Sequence, residues 1–435
     1  MLLRDVTIPN GRQVDIRLEE GVIDAVGRQL RGGPVVDASG LRVTPGAIDV
    51  HVHCREPGGA HKETWETGSR AAAAGGVTTI VDQPNTDPPT STVKAFREKT
   101  DIAAASSIVD YGINAGVTKG WDGATLLDEP IAALGEVFMA DSTGDLGVGM
   151  DMFEEALELA ADADVLVTVH AEDETRFDDG VRDRSDANAW SEYRRPAAEV
   201  AAVARACEVA ERHGTRIHIA HASTPGAIDL AHKWGQTAEV SPHHLLLSTE
   251  HLDRLGTFGR MNPPLRDESI RSAVADRVHH GSVAMIATDH APHTIEEKET
   301  DIWSAPSGVP GVETMLPLLL AQVQGGELDY EAVARLTSNA PARRFGFGRK
   351  GSLSPGSDAD LVLFDPTDRR PILGDELHTD CGWTPFEGYE GVFPHLVLLR
   401  GEIVYRAPWA DSNLPGPGEG EPFGPIRGKN VVEAD

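Results

Sequence analysis

The chain has 435 residues, enough to enclose one large core and a smaller appended domain. With 69 acidic against 39 basic residues its formal charge is −30, which argues against nucleic acid and anionic membrane as partners. Apolar runs such as 315–321 are too short to cross a bilayer, the start of the chain lacks the order of a signal peptide, and Cys54, Cys207 and Cys381 cannot all pair; the expectation is a cytoplasmic protein with free thiols.

In chain order, residues 1–45 read as short strands: 2–8, 13–18 and 21–26 alternate apolar and polar side chains between glycine-bearing turns. The pattern then changes to strands alternating with alanine-rich helices. Strand candidates are 47–53, 77–82, 107–114, 135–139, 165–170, 216–221, 237–241 and 283–289, with helices at 153–160 and 196–213 among the connections. Eight such strands predict a (β/α)₈ TIM barrel over 46–345. A doubly wound open sheet is the alternative, but no glycine-rich nucleotide turn follows its first strand. Strand patterns return at 359–364 and 395–405, so 1–45 and 346–435 are expected to build one small β-sandwich domain from both ends. The Gly-, Pro- and Glu-rich tail from Ser412 is expected to wrap the surface.

In a barrel of this kind the active site lies at the C-terminal ends of the strands. His51 and His53 close the first strand on one face, because strand side chains alternate; Cys54 then points the other way. Asn85 follows the second strand, His170 closes the fifth, His221 the sixth and Asp289 the eighth. Any one of these could be a satisfied core residue. Four histidines and an aspartate at matching positions instead predict a divalent metal centre, with Zn²⁺ the expected ion. His51, His53 and Asp289 suffice for one ion, and His170 and His221 can hold a second. Two ions about 3.5–4 Å apart need an anion between them and would lower the pKa of bound water. Asp289 would take that water's proton and pass it to a leaving nitrogen. His218 is one pleat deeper and reads as a supporting residue, His243 and His244 read as structural, and His279 and His280 as solvated.

The segments His51-Val-His-Cys-Arg-Glu-Pro-Gly-Gly59, Gln83-Pro-Asn-Thr86, Met261-Asn-Pro-Pro-Leu-Arg266, Thr288-Asp-His-Ala-Pro-His293 and Ser307–Leu316 occur in an order that resembles the amidohydrolase superfamily, and within it the dihydroorotases. The resemblance spans nearly the whole chain. It implies reversible, metal-dependent opening of dihydroorotate to carbamoyl-aspartate in pyrimidine biosynthesis. Arg55 would grip the substrate carboxylate through two parallel hydrogen bonds, a contact that a neutral ring does not need. By the same resemblance Asn85 and His293 complete that grip, Asn262 and the backbone near Gly308 meet the ring, and Ser142 belongs to a loop closing over substrate. Many relatives bridge the two metals with a carboxylated lysine after strand four. This chain has Glu136 there, with Asp141 as the other candidate bridge and a single ion as the third possibility. Allantoinases carry asparagine where Arg55 stands, which leaves another cyclic-amide hydrolase as the alternative enzyme. A catalytically silent binding subunit is the alternative outside enzymology. A homodimer is conceivable, and partnership with a transcarbamoylase is left open. Acid excess with only eight lysines resembles proteins of salt-loving archaea, where salt screens self-repulsion.

Overall fold

The computed structural model of the chain describes residues 1–140, 146–418 and 421–433. The strands, in chain order, are β1 (Leu2–Thr7), β2 (Gln13–Glu19), β3 (Val22–Gly27), β4 (Val35–Asp37), β5 (Arg42–Pro45), β6 (Ala47–Val52), β7 (Val77–Asp82), β8 (Asp110–Ile113) and β9 (Leu134–Phe138). They continue with β10 (Val167–His170), β11 (Ile217–Ile219), β12 (Thr237–Val240), β13 (Met285–Ile286), β14 (Leu361–Phe364), β15 (Arg369–Pro371), β16 (Glu390–Val392), β17 (Leu396–Leu399) and β18 (Glu402–Arg406).

β6 to β13 pair only in parallel, in the runs β6-β7-β8 and β9-β10-β11-β12-β13. Parallel bridges Ala115–Leu134 and Val52–His290 join the two runs at both ends, an arrangement consistent with a TIM barrel. β6 and β7 are buried along their whole length, polar residues such as Asp49, His51 and Asp82 included. The helix expected at 196–213 forms as Pro196–His213, with Pro196 in its first turn and Gly214 left-handed at its end.

Several strands are shorter than the sequence suggests: β13 has two residues and β11 three. The chain leaves the ladder early because the residues that follow turn toward the strand ends. Arg55, His221 and Asp289 have positive φ angles of 61°, 33° and 50°, a region L-residues avoid unless surrounding structure holds them there.

The two ends of the chain meet in one sheet of order β18-β17-β14-β5-β1-β2-β3, with β4 beside β1. Its apolar side chains, Leu3, Ile16, Val43, Leu361 and Val397 among them, share a core with Trp65, Val77 and Ile113 of the central layer. The tail is tied down by Tyr111 N–H to Lys429 O (2.9 Å) and Val431 N–H to Tyr111 O (2.8 Å). No helix among the described residues is long and apolar enough to cross a membrane.

Candidate active site

The strand ends surround a pocket of about 310 Å³. His53, Arg55, Asn85, Glu136, His170, His221, Asn262, Asp289 and Gly308 all line it. His51 and His293 are buried just behind its wall. The imidazoles of His51 and His53, His51 and His221, and His170 and His221 lie 5.3, 5.2 and 4.7 Å apart between ring centres. Asp141 and Ser142 fall outside the described residues.

The hydrogen bonds of the histidines decide which nitrogen of each ring faces the pocket. His53 Nδ1 lies 2.6 Å from Asn85 Oδ1, His51 Nδ1 2.7 Å from Glu239 Oε1, and His170 Nε2 2.9 Å from Glu172 Oε2. Each of these oxygens accepts, so each ring carries its hydrogen on that side and presents a lone pair on the other. Those lone pairs meet carboxylates. His53 Nε2 is 3.0 Å from Asp289 Oδ1, and His170 Nδ1 is 3.0 Å from Glu136 Oε1, an oxygen also 2.7 Å from His221 Nε2. His51 Nε2 makes no hydrogen bond among the described residues and stands 3.4 Å from carboxylate oxygens of both Glu136 and Asp289. Acceptor facing acceptor is repulsive unless a cation lies between them. The groups His51/His53/Asp289 and His51/Glu136/His221 each bring three ligand atoms within 4.8 Å of one another, so the residues present fit a divalent metal.

In the protein alone, protons answer the same demand. Burial opposes charge on His51 and His170, yet the carboxylates prevail: Glu136, Glu239 and Asp289 raise His51 well above its usual range, and Glu136 and Glu172 raise His170 to about 9. Burial would likewise raise the acids, but His51 and His221 hold Glu136 far below the usual carboxylate range, and His51, His53 and His221 do the same for Asp289.

Beside this cluster lies a cationic wall. Arg55 donates from Nε to Pro292 O (3.1 Å), and its terminal nitrogen is 3.1 Å from His293 Nε2. Gly308 sits at φ 135°, and a Cβ there would come within 2.6 Å of Ala291 O, so only glycine permits this approach of backbone to pocket. The Asn262 side-chain oxygen accepts from Trp190 Nε1 (3.0 Å).

An amidohydrolase family model matches residues 42–404. This chain belongs to the amidohydrolase family. A dihydroorotase of Halobacterium salinarum is 58% identical over 405 residues, covering 93% of this chain and 96% of its own length. A dihydroorotase of Methanosarcina acetivorans is 43% identical over 430 residues, covering 94% and 91%. Among solved structures, an L-hydantoinase (dihydropyrimidinase) from Arthrobacter aurescens superposes with a TM-score of 0.89 at 28% identity, over 93% of this chain and 96% of its own.

Within this amidohydrolase, several site residues carry little sequence signal. Glu239 lies inside β12, where it accepts from His51 and also stands 3.0 Å from His218 Nε2; a lone carboxylate in a mostly buried strand is the available clue. Glu172 orients His170 and is in turn held by Arg194 at 2.7 Å. Lys298 is buried and donates to the carbonyls of Arg260 (3.0 Å), Pro306 (2.9 Å) and Gly308 (3.1 Å), fastening two loops that reach the pocket. Lys62 donates to His293 Nδ1 at 3.1 Å. Partners that are backbone carbonyls or distant rings leave no pattern in spacing.

Proposed function

We propose that this chain is a dihydroorotase, a metal-dependent cyclic amide hydrolase that interconverts dihydroorotate and N-carbamoyl-aspartate for pyrimidine synthesis. One observation carries the reading: a buried guanidinium, Arg55, opens onto the same pocket as a histidine–carboxylate cluster suited to divalent cations. Arg55 pairs with the substrate carboxylate, assisted by the Asn85 amide and His293, and this fixes the ring so that its scissile carbonyl faces the cluster. Asn262 and the backbone at Gly308 meet the rest of the ring.

His51, His53, His170, His221, Glu136 and Asp289 are the residues that would hold the metal, two zinc ions in this proposal, with the Glu136 carboxylate supplying negative charge to offset them. Bound there, the cations would supply Lewis acidity toward the ring carbonyl and make water acidic enough to attack at neutral pH. Asp289, ionised before reaction, accepts a proton from the attacking water as its oxygen adds to the carbonyl carbon. The ring C–N bond then breaks, and Asp289 returns the proton to the leaving nitrogen, producing a ureido group and a carboxylic acid that loses its remaining proton to solvent as the carboxylate. Ring closure runs through the same groups in reverse.

An allantoinase reading lacks a use for Arg55. The proposed organisation has a small β-sandwich domain, 1–45 with 346–435, around a (β/α)₈ barrel at 46–345, in a cytoplasmic, salt-adapted enzyme whose dimerisation sedimentation would test. The assay is direct: purified protein in concentrated salt with zinc should interconvert dihydroorotate and carbamoyl-aspartate in both directions. Zinc-loaded protein that turns over neither compound would overturn the reading.

A further inference from the structure

The contacts of Lys62 show something that the proposed carboxylate grip alone does not explain. Lys62 lies between β6 and the helix Trp65–Ala74, half-buried, with Nζ 3.1 Å from His293 Nδ1 and 3.1 Å from Glu297 Oε1. An ammonium only donates hydrogen bonds, so Nδ1 of His293 must offer its lone pair. Burial, then the charges of Arg55, Lys62 and Lys298, pushes the His293 pKa far down, and the ring is neutral. A neutral ring whose Nδ1 accepts carries its hydrogen on Nε2.

That Nε2–H faces the Ser307 carbonyl at 3.0 Å and the Arg55 guanidinium at 3.1 Å, and a guanidinium cannot accept. Two donors therefore stand side by side, Arg55 lining the pocket and His293 directly behind its wall. We propose that Lys62 is a positioning residue that locks His293 as the Nε2–H tautomer and so makes Arg55 and His293 a two-donor grip for a carboxylate. The inference rests on the reading that these two residues bind the substrate carboxylate. Without Lys62, His293 can move its hydrogen to Nδ1, where Glu297 Oε2 lies 3.5 Å away. Its Nε2 lone pair would then accept from Arg55 and withdraw that donor from the substrate.

The test compares the full-length, metal-loaded protein with Lys62→Met and Lys62→Arg. Lys62→Met should raise KM for dihydroorotate and carbamoyl-aspartate about tenfold, the order of one charge-assisted hydrogen bond, with kcat within about twofold and metal content unchanged. Lys62→Arg, which keeps the charged donor, should recover most of that loss. Nitrogen NMR of ¹⁵N-histidine protein, with the His293 signal assigned through His293→Gln, should show the Nε2–H tautomer in the native chain and a shift toward Nδ1–H in Lys62→Met. An unchanged KM, a loss confined to kcat or metal content, equal loss in both variants, or an Nδ1–H tautomer in the native protein would each overturn the inference. Native protein inactive on both compounds fails the functional reading instead, and the tautomer measurement still decides the role of Lys62.

Discussion

Two of the buried charge clusters among the described residues contrast sharply, the pocket at the strand ends and a cluster beneath the opposite end of β8. In the cluster, Lys350 reaches Asp110 (2.5 Å), Asp358 (3.0 Å) and Asp360 (2.7 Å), Arg400 pairs with Asp110, and Arg349 with Asp358. Three carboxylates meet three permanent cations, and backbone N–H groups of Lys429 and Arg400 take further oxygens. At the pocket, Glu136, Glu239 and Asp289 meet histidines whose charge depends on protons. The first arrangement is complete and joins β8, the terminal sheet and the tail. The second has acceptors facing acceptors and closes only when protons or a bound cation lie between them. Similar side chains thus serve structure in one place and chemistry in the other, and the difference lies in whether the charges close among themselves.

The largest expected effect is on the pocket side. Asp289→Asn should lower turnover about 10³- to 10⁴-fold in both directions, measured beside metal content because the side chain also faces two histidines. A metal-replete Asn variant with native turnover would remove Asp289 from the chemistry. Lys350→Met should do the opposite, costing about 3–5 kcal/mol of stability in denaturant titrations by leaving Asp360 buried without a cation and Asp110 and Asp358 with one each, with kcat/KM of the folded fraction unchanged.

Acid stability sharpens the comparison within the histidines. His51 and His170, each facing two or more carboxylates, are raised, whereas burial lowers His243 to about 4 and His244 further still. Between pH 6.5 and 4 the unfolded chain binds a proton that folded His243 refuses, so its contribution is whole above pH 6.5 and falls away toward pH 4. The loss is about 3 kcal/mol. Unfolding curves across that window should show the slope, and His243→Gln should flatten it. Arg55→Met is expected to cost about 2–3 kcal/mol in kcat/KM for dihydroorotate while metal content stays native.

Much of this was legible in the sequence, for particular reasons. His51, His53, His170, His221 and Asp289 could be found because each follows an apolar run, and strand ends are where a parallel barrel places chemistry. The helix at Pro196–His213 was bounded by its own proline and glycine. Strand ends were overextended because hydrophobicity continues past the ladder, and the positive φ of His221 and Asp289 has no glycine to announce it. Glu239 and Glu172 escaped notice because a residue that orients another is defined by a distance across the fold. Lys298 escaped for a related reason: its three partners are carbonyls, which every residue has.

The central claim is that the pocket's charges are incomplete without divalent cations, and metal analysis tests it most directly. Protein purified in zinc-containing buffer, desalted and measured beside Glu136→Ala should hold two ions per chain in the native form and fewer in the variant, with activity falling in step. Native protein that retains no metal yet turns over dihydroorotate fully in the presence of a chelator would contradict the account.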